Sequence, residues 1–446
     1  MASVAAALKE RGTHVTGSDQ NVYPPMSTFL ADRGIEVREG YDEKNLADQP
    51  DLVVVGNAVS RGNPEAEAVL NRKMRFCALP ELLKEEFIRG KRSLVVSGTH
   101  GKTTTTSLLA WVFEHNGLNP SYLIGGIPNN FSQGARFTDS EWIILEGDEY
   151  DTAFFDKRSK FVHYLPEVAV INNLEFDHAD IFDDLAQIQN SFRRMINLVP
   201  SKGLLLANGD EANIEAVIDE APCPVEAFGL GAANPLRATS LSYTPEGSGF
   251  QVGEDSYSIP MVGELNVRNA LAVVGVARHC GLSSRQIQSG FESFNGIRRR
   301  MEVRGTQGGV TVVDDFAHHP TAIRETLKAL RVRFPGQRVW ALFEPRSNTT
   351  RRAVFQKDLA DALALADHIV LAQVARLDQL QVEDRLNPVA LVQQLSENGR
   401  DAVYLPEVDQ IVTHVKARAK EGDLVCVLSN GGFDGIHQKL LEVLGD

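Results

Sequence analysis

Leu94-Val95-Val96-Ser97-Gly98-Thr99-His100-Gly101-Lys102-Thr103-Thr104 reads as a strand over 94–96, a glycine-rich turn and the opening of a helix over 103–116. Backbone N–H groups of such a turn, backed by the positive end of the helix, can surround a triphosphate. Lys102 is placed to contact the outer phosphates, and the Thr103 hydroxyl to ligate Mg2+. The general pattern G-x-x-x-x-G-K-[ST] asks for glycine at position 96, where this chain has Val96, so the loop is a variant. A turn that only links strand to helix does not explain a lysine flanked by glycine and four threonines.

Working outward, strands are expected over 142–145 and 168–171 and a helix over 184–198, an alternation that argues for a mostly parallel sheet covered by helices. Between Thr239 and Val262 the pattern becomes short polar–apolar alternation broken by Pro245, Gly247 and Gly249, which predicts an antiparallel meander. Helices over 266–279 and 284–294 follow. After Gly296 the α/β alternation resumes, with strands over 310–313, 338–343, 368–371, 402–405 and 424–428 and helices over 320–333, 352–366, 410–420 and 436–444.

Upstream of the glycine turn lie a helix over 1–11, a short strand over 14–16 followed by Gly17-Ser18-Asp19, strands over 35–38 and 52–55, a helix started by Asn63-Pro64-Glu65, and a helix over 80–87. A helix and then a strand ending in an acid is the second half of a nucleotide-binding βαβ unit. A first strand and glycine turn, roughly ten to fifteen residues, are expected to precede it. The fold class is therefore α/β with three domains. These are a Rossmann-like one over 1–92, a central P-loop domain with the meander over 93–301, and a second Rossmann-like one over 302–446.

Composition supports this division, because 446 residues at ~150 per domain give about three. The formal charge of −14 disfavours nucleic-acid binding, since every phosphate would be approached against repulsion. Uninterrupted apolar runs are strand-sized, far below the ~20 residues that cross a bilayer, and no membrane insertion is expected. Cys77, Cys223, Cys280 and Cys426 stand far apart without a C-x-x-C pair, and the N-terminus lacks the charge-then-apolar order of a signal peptide. A cytoplasmic location fits.

A nucleotide's Mg2+ needs oxygen ligands at strand ends facing the loop. The strand over 142–145 delivers Glu146, with Asp148, Glu149 and Asp151 behind it; the strand over 168–171 delivers Asn172, Asn173, Glu175, Asp177 and His178. Carboxylates so close would repel one another unless cations were present, and a solvated acidic rim is the alternative. His178 is read as a metal ligand or a contact to a substrate phosphate. In Asp314-Asp315-Phe316-Ala317-His318-His319-Pro320, Asp315 is assigned to nucleotide contact, and His318 and His319 to structure or substrate, because their spacing is weak evidence for zinc.

Together these motifs, with Gly263-Glu264-Leu265-Asn266-Val267-Arg268-Asn269, Arg299-Arg300-Met301-Glu302 and Glu344-Pro345-Arg346, resemble the Mur ligase family, ATP-dependent enzymes that build the peptidoglycan stem peptide. The segment from Glu149 to Phe161, Glu344 to Thr349, and Ser429-Asn430-Gly431-Gly432-Phe433 are similar to the branch that recycles murein peptides rather than the branch that adds L-alanine. Leu265 stands where the family has histidine, so only Asn266 and Asn269 carry over there. Arg193 and Arg194 stand in the segment where some relatives carry a modified lysine, and none is expected.

The resemblance implies ligation of the UDP-N-acetylmuramate carboxylate to the amine of L-alanyl-γ-D-glutamyl-meso-diaminopimelate, with ATP and Mg2+ as cofactors. It implies an ATP site of Gly98, Thr99, His100, Gly101, Lys102, Thr103, Thr104, Asn269, Arg300 and Asp315. One Mg2+ would sit on Thr103 and Glu146, and a second near His178. Catalysis would rest on Lys102, Glu146 and His178. Arg346 is a candidate for peptide or phosphate, and Ser18, Asp19, Asn57 and Arg61 are candidates for the UDP-sugar. A P-loop ATPase without ligase activity, or a protein holding nucleotide for structure, remain the other classes.

Overall fold

In the computed structural model, which describes residues 1–23 and 26–445, the strand carrying the glycine turn is Arg92–Ser97. It lies inside an eight-stranded sheet. The order is Leu236–Arg237, Val225–Gly229, Leu204–Asn208, Val168–Ile171, Arg92–Ser97, Trp142–Glu146, Ser121–Leu123 and Ala135–Arg136. All neighbours are parallel except the last pair. Arg92–Ser97 is flanked by the two strands read as delivering acids, with Val96 opposite Glu146 and Ser97 opposite Ile171. Their C-terminal ends therefore emerge on either side of the glycine turn, where a parallel sheet opens a crevice.

Alternation along these strands feeds two cores. Leu94, Val96, Ile144, Val168 and Val170 point to one face, where they pack with Lys102–His115, Glu264–His279 and Ser284–Glu292. Val95, Ile143, Leu145, Ala169 and Ile171 point to the other, against Leu185–Ile196 and residues from the N-terminal part such as Leu83 and Phe87. Asp184 caps Leu185–Ile196 by accepting from the Gln187 N–H at 2.9 Å. The meander is present as Thr239–Thr244, Gly247–Val252 and Asp255–Ile259, and buries Phe250, Val252, Tyr257 and Ile259 in the first core.

The third domain is a six-stranded sheet in the order Glu302–Gln307, Val310–Asp315, Leu424–Leu428, Val339–Phe343, His368–Leu371, Asp401–Tyr404. Its first strand runs antiparallel and the others parallel. The edge strand Glu302–Gln307 was not expected. Its polar residues are partly exposed and leave no apolar alternation to read. The expected helix over 352–366 is a turn of 3-10 helix, Ala353–Phe355, followed by Gln356–Leu363, and a further helix, Pro388–Glu397, is capped by Asn387.

The N-terminal part holds two two-stranded parallel sheets, Thr16–Asp19 with Glu36–Glu39 and Val53–Val55 with Phe76–Ala78. Its first strand begins two residues later than expected, so Gly17, Ser18 and Asp19 lie within it rather than after it. The helix over 80–87 is Leu79–Leu83 continuing as a π-helical turn, Lys84–Ile88. Asn63 caps Pro64–Asn71 as read, accepting from Glu65 and Ala66 N–H groups at 3.0 and 3.1 Å. Among the described residues no helix is long and apolar enough to cross a membrane.

Phe113, on the helix behind the glycine turn, is fully buried and packs edge-on against Trp142 at 5.2 Å. Phe113→Ala is expected to cost about 3–5 kcal/mol in denaturant unfolding, because the rigid sheet behind it cannot collapse into the hole.

Candidate active site

The glycine turn is shaped by two backbone requirements. Gly98 has φ +131°, and a Cβ there would lie 3.0 Å from both N and O of Asn173. Gly101 has φ +76° and caps Lys102–His115, and a Cβ there would lie 2.3 Å from Asn269 Oδ1. The loop is thus pressed onto the end of Val168–Ile171. The His100 N–H donates to Asn173 Oδ1 at 2.7 Å, and Asn173 Nδ2 donates back to His100 O at 3.1 Å. The Glu175 N–H donates to Thr99 Oγ1 at 2.8 Å, and Asn172 Nδ2 to Thr105 Oγ1 at 2.9 Å.

Lys102 bends back over the loop. Its Nζ donates to Gly98 O at 2.6 Å and lies 2.8 Å from Glu149 Oε2. Burial pulls the ammonium's pKa down, but Glu149, with Asp148 and Glu146 behind it, more than compensates, so the pKa stands above its ordinary value. Thr103 Oγ1 donates to Glu146 Oε1 at 2.8 Å, and the Gly125 N–H donates to Glu146 Oε2 at 2.6 Å. Burial nevertheless holds the Glu146 carboxyl above the usual carboxylate range, and these donors and Lys102 offset it only in part. Asp148 is drawn below its range against its burial, chiefly by Lys160 at 2.6 Å.

These groups face a cavity of about 1680 Å3 whose wall includes residues from all three parts of the chain. Thr99, His100, Gly101, Lys102, Thr103, Thr104, Glu146, His178, Asn269, Arg300, Asp315, Arg346 and Asn57 all line it. Arg300 Nη2 comes within 3.5 Å of Thr103 Oγ1. His178 sits in left-handed backbone at φ 54°, with its ring 4.3 Å from that of Tyr150. Its Nε2 is buried without a hydrogen-bond partner, 3.7 Å from Glu149 Oε2. Burial lowers its pKa, but Glu149 and Asp177 outweigh that and raise it.

Asp315, expected to contact nucleotide, is held by the chain itself. It accepts from the Met301 N–H at 2.7 Å, the Ala317 N–H at 2.8 Å and Thr326 Oγ1 at 3.2 Å. The segment it clamps includes Arg299 and Met301, both at positive φ, and presents Arg300 to the phosphate loop. Arg346 lies at the cavity wall, 3.4 Å from Glu344 Oε1.

Of the four candidates for the UDP-sugar, only Asn57 lines the cavity. Ser18 Oγ donates to Glu65, the Asp19 carboxylate accepts from the Asn21 N–H at 3.3 Å, and the exposed Arg61 pairs with Glu67 at 2.8 Å. Acids in the first turn of Pro64–Asn71 thus engage Ser18 and Arg61 locally. Sequence reasoning placed Glu149 only within an acidic run, and nothing in that run's spacing told which acid meets Lys102.

Fold and site define a three-domain α/β protein that gathers a phosphate loop, an acidic cradle and a third-domain wall around one cavity. Three family profiles match in tandem: "Mur ligase family, catalytic domain" over residues 1–90, "Mur ligase middle domain" over 96–277 and "Mur ligase, glutamate ligase domain" over 299–431. The chain belongs to the Mur ligase family. It is 44% identical to UDP-N-acetylmuramate--L-alanyl-γ-D-glutamyl-meso-2,6-diaminoheptandioate ligase of Haemophilus influenzae, over 100% of this chain and 96% of the relative. It is 33% identical to UDP-N-acetylmuramate--L-alanine ligase of Acetivibrio thermocellus, over 99% and 93%. The crystal structure of a murein peptide ligase from Psychrobacter arcticus superposes with TM-score 0.74 at 35% identity, covering 100% of this chain and 96% of that one.

Two outcomes test this geometry. Gly98→Ala must meet the Asn173 backbone at positive φ and is expected to lose about 1–3 kcal/mol of unfolding free energy. His319 caps Pro320–Arg333, its Nδ1 accepting from the Thr321 N–H at 3.3 Å while its Nε2 faces Phe176 O at 3.3 Å, an arrangement that needs the neutral ring. Burial, aided by His100, holds its pKa down to about 3. The unfolded chain binds this proton near pH ~6.5, so His319 withdraws stability as pH falls from there towards 3 and withdraws none above. Denaturation midpoints measured at pH 7 and pH 5 are expected to differ less in His319→Gln than in the parent chain.

Proposed function

We propose that this chain uses ATP to join the lactyl carboxylate of UDP-N-acetylmuramate to the amine of L-alanyl-γ-D-glutamyl-meso-diaminopimelate, in murein recycling. A carboxylate is a poor electrophile, because its charge and resonance oppose an incoming amine. Transfer of the γ-phosphoryl group makes an acyl phosphate and releases ADP. The amine then adds to the carbonyl carbon, loses a proton, and expels inorganic phosphate.

The observation that carries the reading is the pairing of Lys102 and the Thr103–Glu146 cradle on one cavity with Arg300 and Arg346. Catalysis of phosphoryl transfer is mostly positioning and neutralisation of charge. Lys102 would exchange Glu149 for the β and γ phosphates, and Arg300 would add charge from the domain boundary. The hydroxyl of Thr103 and the carboxylate of Glu146 are oxygen donors of the kind Mg2+ takes, and both would hold it. Bound there, the ion would neutralise phosphoryl charge. His178, with a buried and unpartnered Nε2 on the same cavity, would hold a second ion or the acyl phosphate. Asn57 would contact the UDP-sugar, Asn269 the nucleotide, and Arg346 a carboxylate of the peptide. Similarity to the Haemophilus relative over the full chain favours the tripeptide as acceptor.

The test is phosphate release from Mg-ATP with UDP-N-acetylmuramate, comparing the tripeptide with L-alanine and reading product mass in parallel. Turnover with a tripeptide-sized gain in mass is expected. Turnover only with L-alanine would assign the other branch, and acceptor-independent hydrolysis would rule out ligation. Lys102→Ala and Glu146→Gln are each expected to lower kcat about 10²–10³-fold, as for loss of a charge-stabilising group.

A further inference from the structure

Apart from the oxygen cradle, a second group of ligand-type side chains meets where the central and third domains touch. His100 comes from the phosphate loop, Glu175 from the segment after Val168–Ile171, and His319 from the cap of Pro320–Arg333. His100 Nε2 is 3.4 Å from Glu175 Oε1, His319 Nδ1 is 3.7 Å from Glu175 Oε2, and the three ligand atoms lie within 4.8 Å of one another. The two imidazole rings are 4.5 Å apart. We infer that these three side chains form a transition-metal site that bridges the two domains.

Three observations carry this. The His100 side chain is only 7% exposed, and its Nε2, aimed at the carboxylate, is buried without a hydrogen-bond partner. A polar atom left in that state is costly, and a cation coordinated by its lone pair removes the cost. His319 points Nε2 at a carbonyl, which leaves Nδ1 as the lone-pair nitrogen; that atom accepts from the Thr321 N–H at 3.3 Å and lies 3.7 Å from Glu175 Oε2, so an ion would take the place of the Thr321 N–H on it. Glu175 is fixed by Thr321 Oγ1, which donates to its Oε2 at 2.8 Å, so the carboxylate is oriented before any ion arrives. A smaller cavity of about 90 Å3, lined by His100, Glu175 and Thr321, adjoins the group and supplies access.

The donor set separates this site from the cradle at Glu146. Two imidazoles and one carboxylate suit Zn2+, Co2+ or Ni2+, whereas hydroxyl and carboxylate oxygens suit Mg2+. With metal–ligand bonds of about 2.1 Å, tetrahedral ligands stand about 3.4 Å apart. Both carboxylate-to-imidazole distances, one to each oxygen of Glu175, already approach that, and the two imidazoles come one from each domain. A bound ion therefore ties the third domain to the phosphate loop.

The experiment is a titration of chelator-stripped full-length protein with Co2+ in millimolar Mg2+, read as visible absorption, followed by displacement with Zn2+. A band that saturates at one equivalent is expected, with at least tenfold weaker binding in Glu175→Gln and in His319→Ala, whose folding is checked by circular dichroism. X-ray absorption of the Zn2+ form of the parent chain, which needs no variant, is expected to show two imidazole ligands. Absence of a saturable band, a band unchanged in both folded variants, abolition by excess Mg2+, or a Zn2+ spectrum without imidazole would each overturn the proposal. None of these readouts depends on ligase turnover.

Discussion

A lysine ammonium at the N-terminus of a buried helix stands at the positive end of the helix dipole and away from water, and neither is tolerable without an anion beside it. Lys102 meets that constraint through Glu149 at 2.8 Å and the Gly98 carbonyl at 2.6 Å. Much of the site's geometry follows from it. The chain after Trp142–Glu146 must turn back over the loop to deliver Glu149, and in doing so it sets Asp148 against Lys160 and Tyr150 against His178. Under the proposed function the same arrangement is a store of charge, since Lys102 would pass from Glu149 to a phosphate without a new ammonium having to be buried.

The third domain is tied into this arrangement from outside the central sheet. Asp315 closes the inter-domain segment by accepting from the Met301 and Ala317 backbone, and that closure brings Arg300 to the Thr103 hydroxyl. Further contacts cross the same boundary. Thr321 Oγ1 donates to Glu175 at 2.8 Å, Asn348 Nδ2 donates to Asp180 at 2.7 Å, and Arg299 Nη2 donates to the Ser429 carbonyl at 2.7 Å. These three are polar, as is common at junctions between domains of one chain, and Phe176 adds an apolar contact by packing on Phe355.

Much of the fold was legible because its signals are local. The apolar strands Val168–Ile171, His368–Leu371 and Leu424–Leu428 and the helix Pro320–Arg333 lie where periodicity and capping place them. The polar edge strand Glu302–Gln307 and the hairpin Asp151–Ala153 with Asp156–Ser159 were not legible, since their pairing comes from a neighbour rather than from their own alternation. In the site, the loop and Glu146 could be read from their place at strand ends. The partner of Ser18 could not, because Glu65, in the first turn of a helix 47 residues further on, supplies it.

From the sequence alone came the alternating α/β order, the variant phosphate loop and the acidic segments on either side of it, because hydrophobic period and turn chemistry act over a few residues. Only the tertiary structure decided which acid neutralises Lys102, that Asp315 holds the inter-domain segment, and that His100, Glu175 and His319 converge from two domains. Coulomb attraction and hydrogen bonding reward nearness in space, and Lys102 and Glu149 are 47 residues apart along the chain. Packing of the parallel sheet closes that distance.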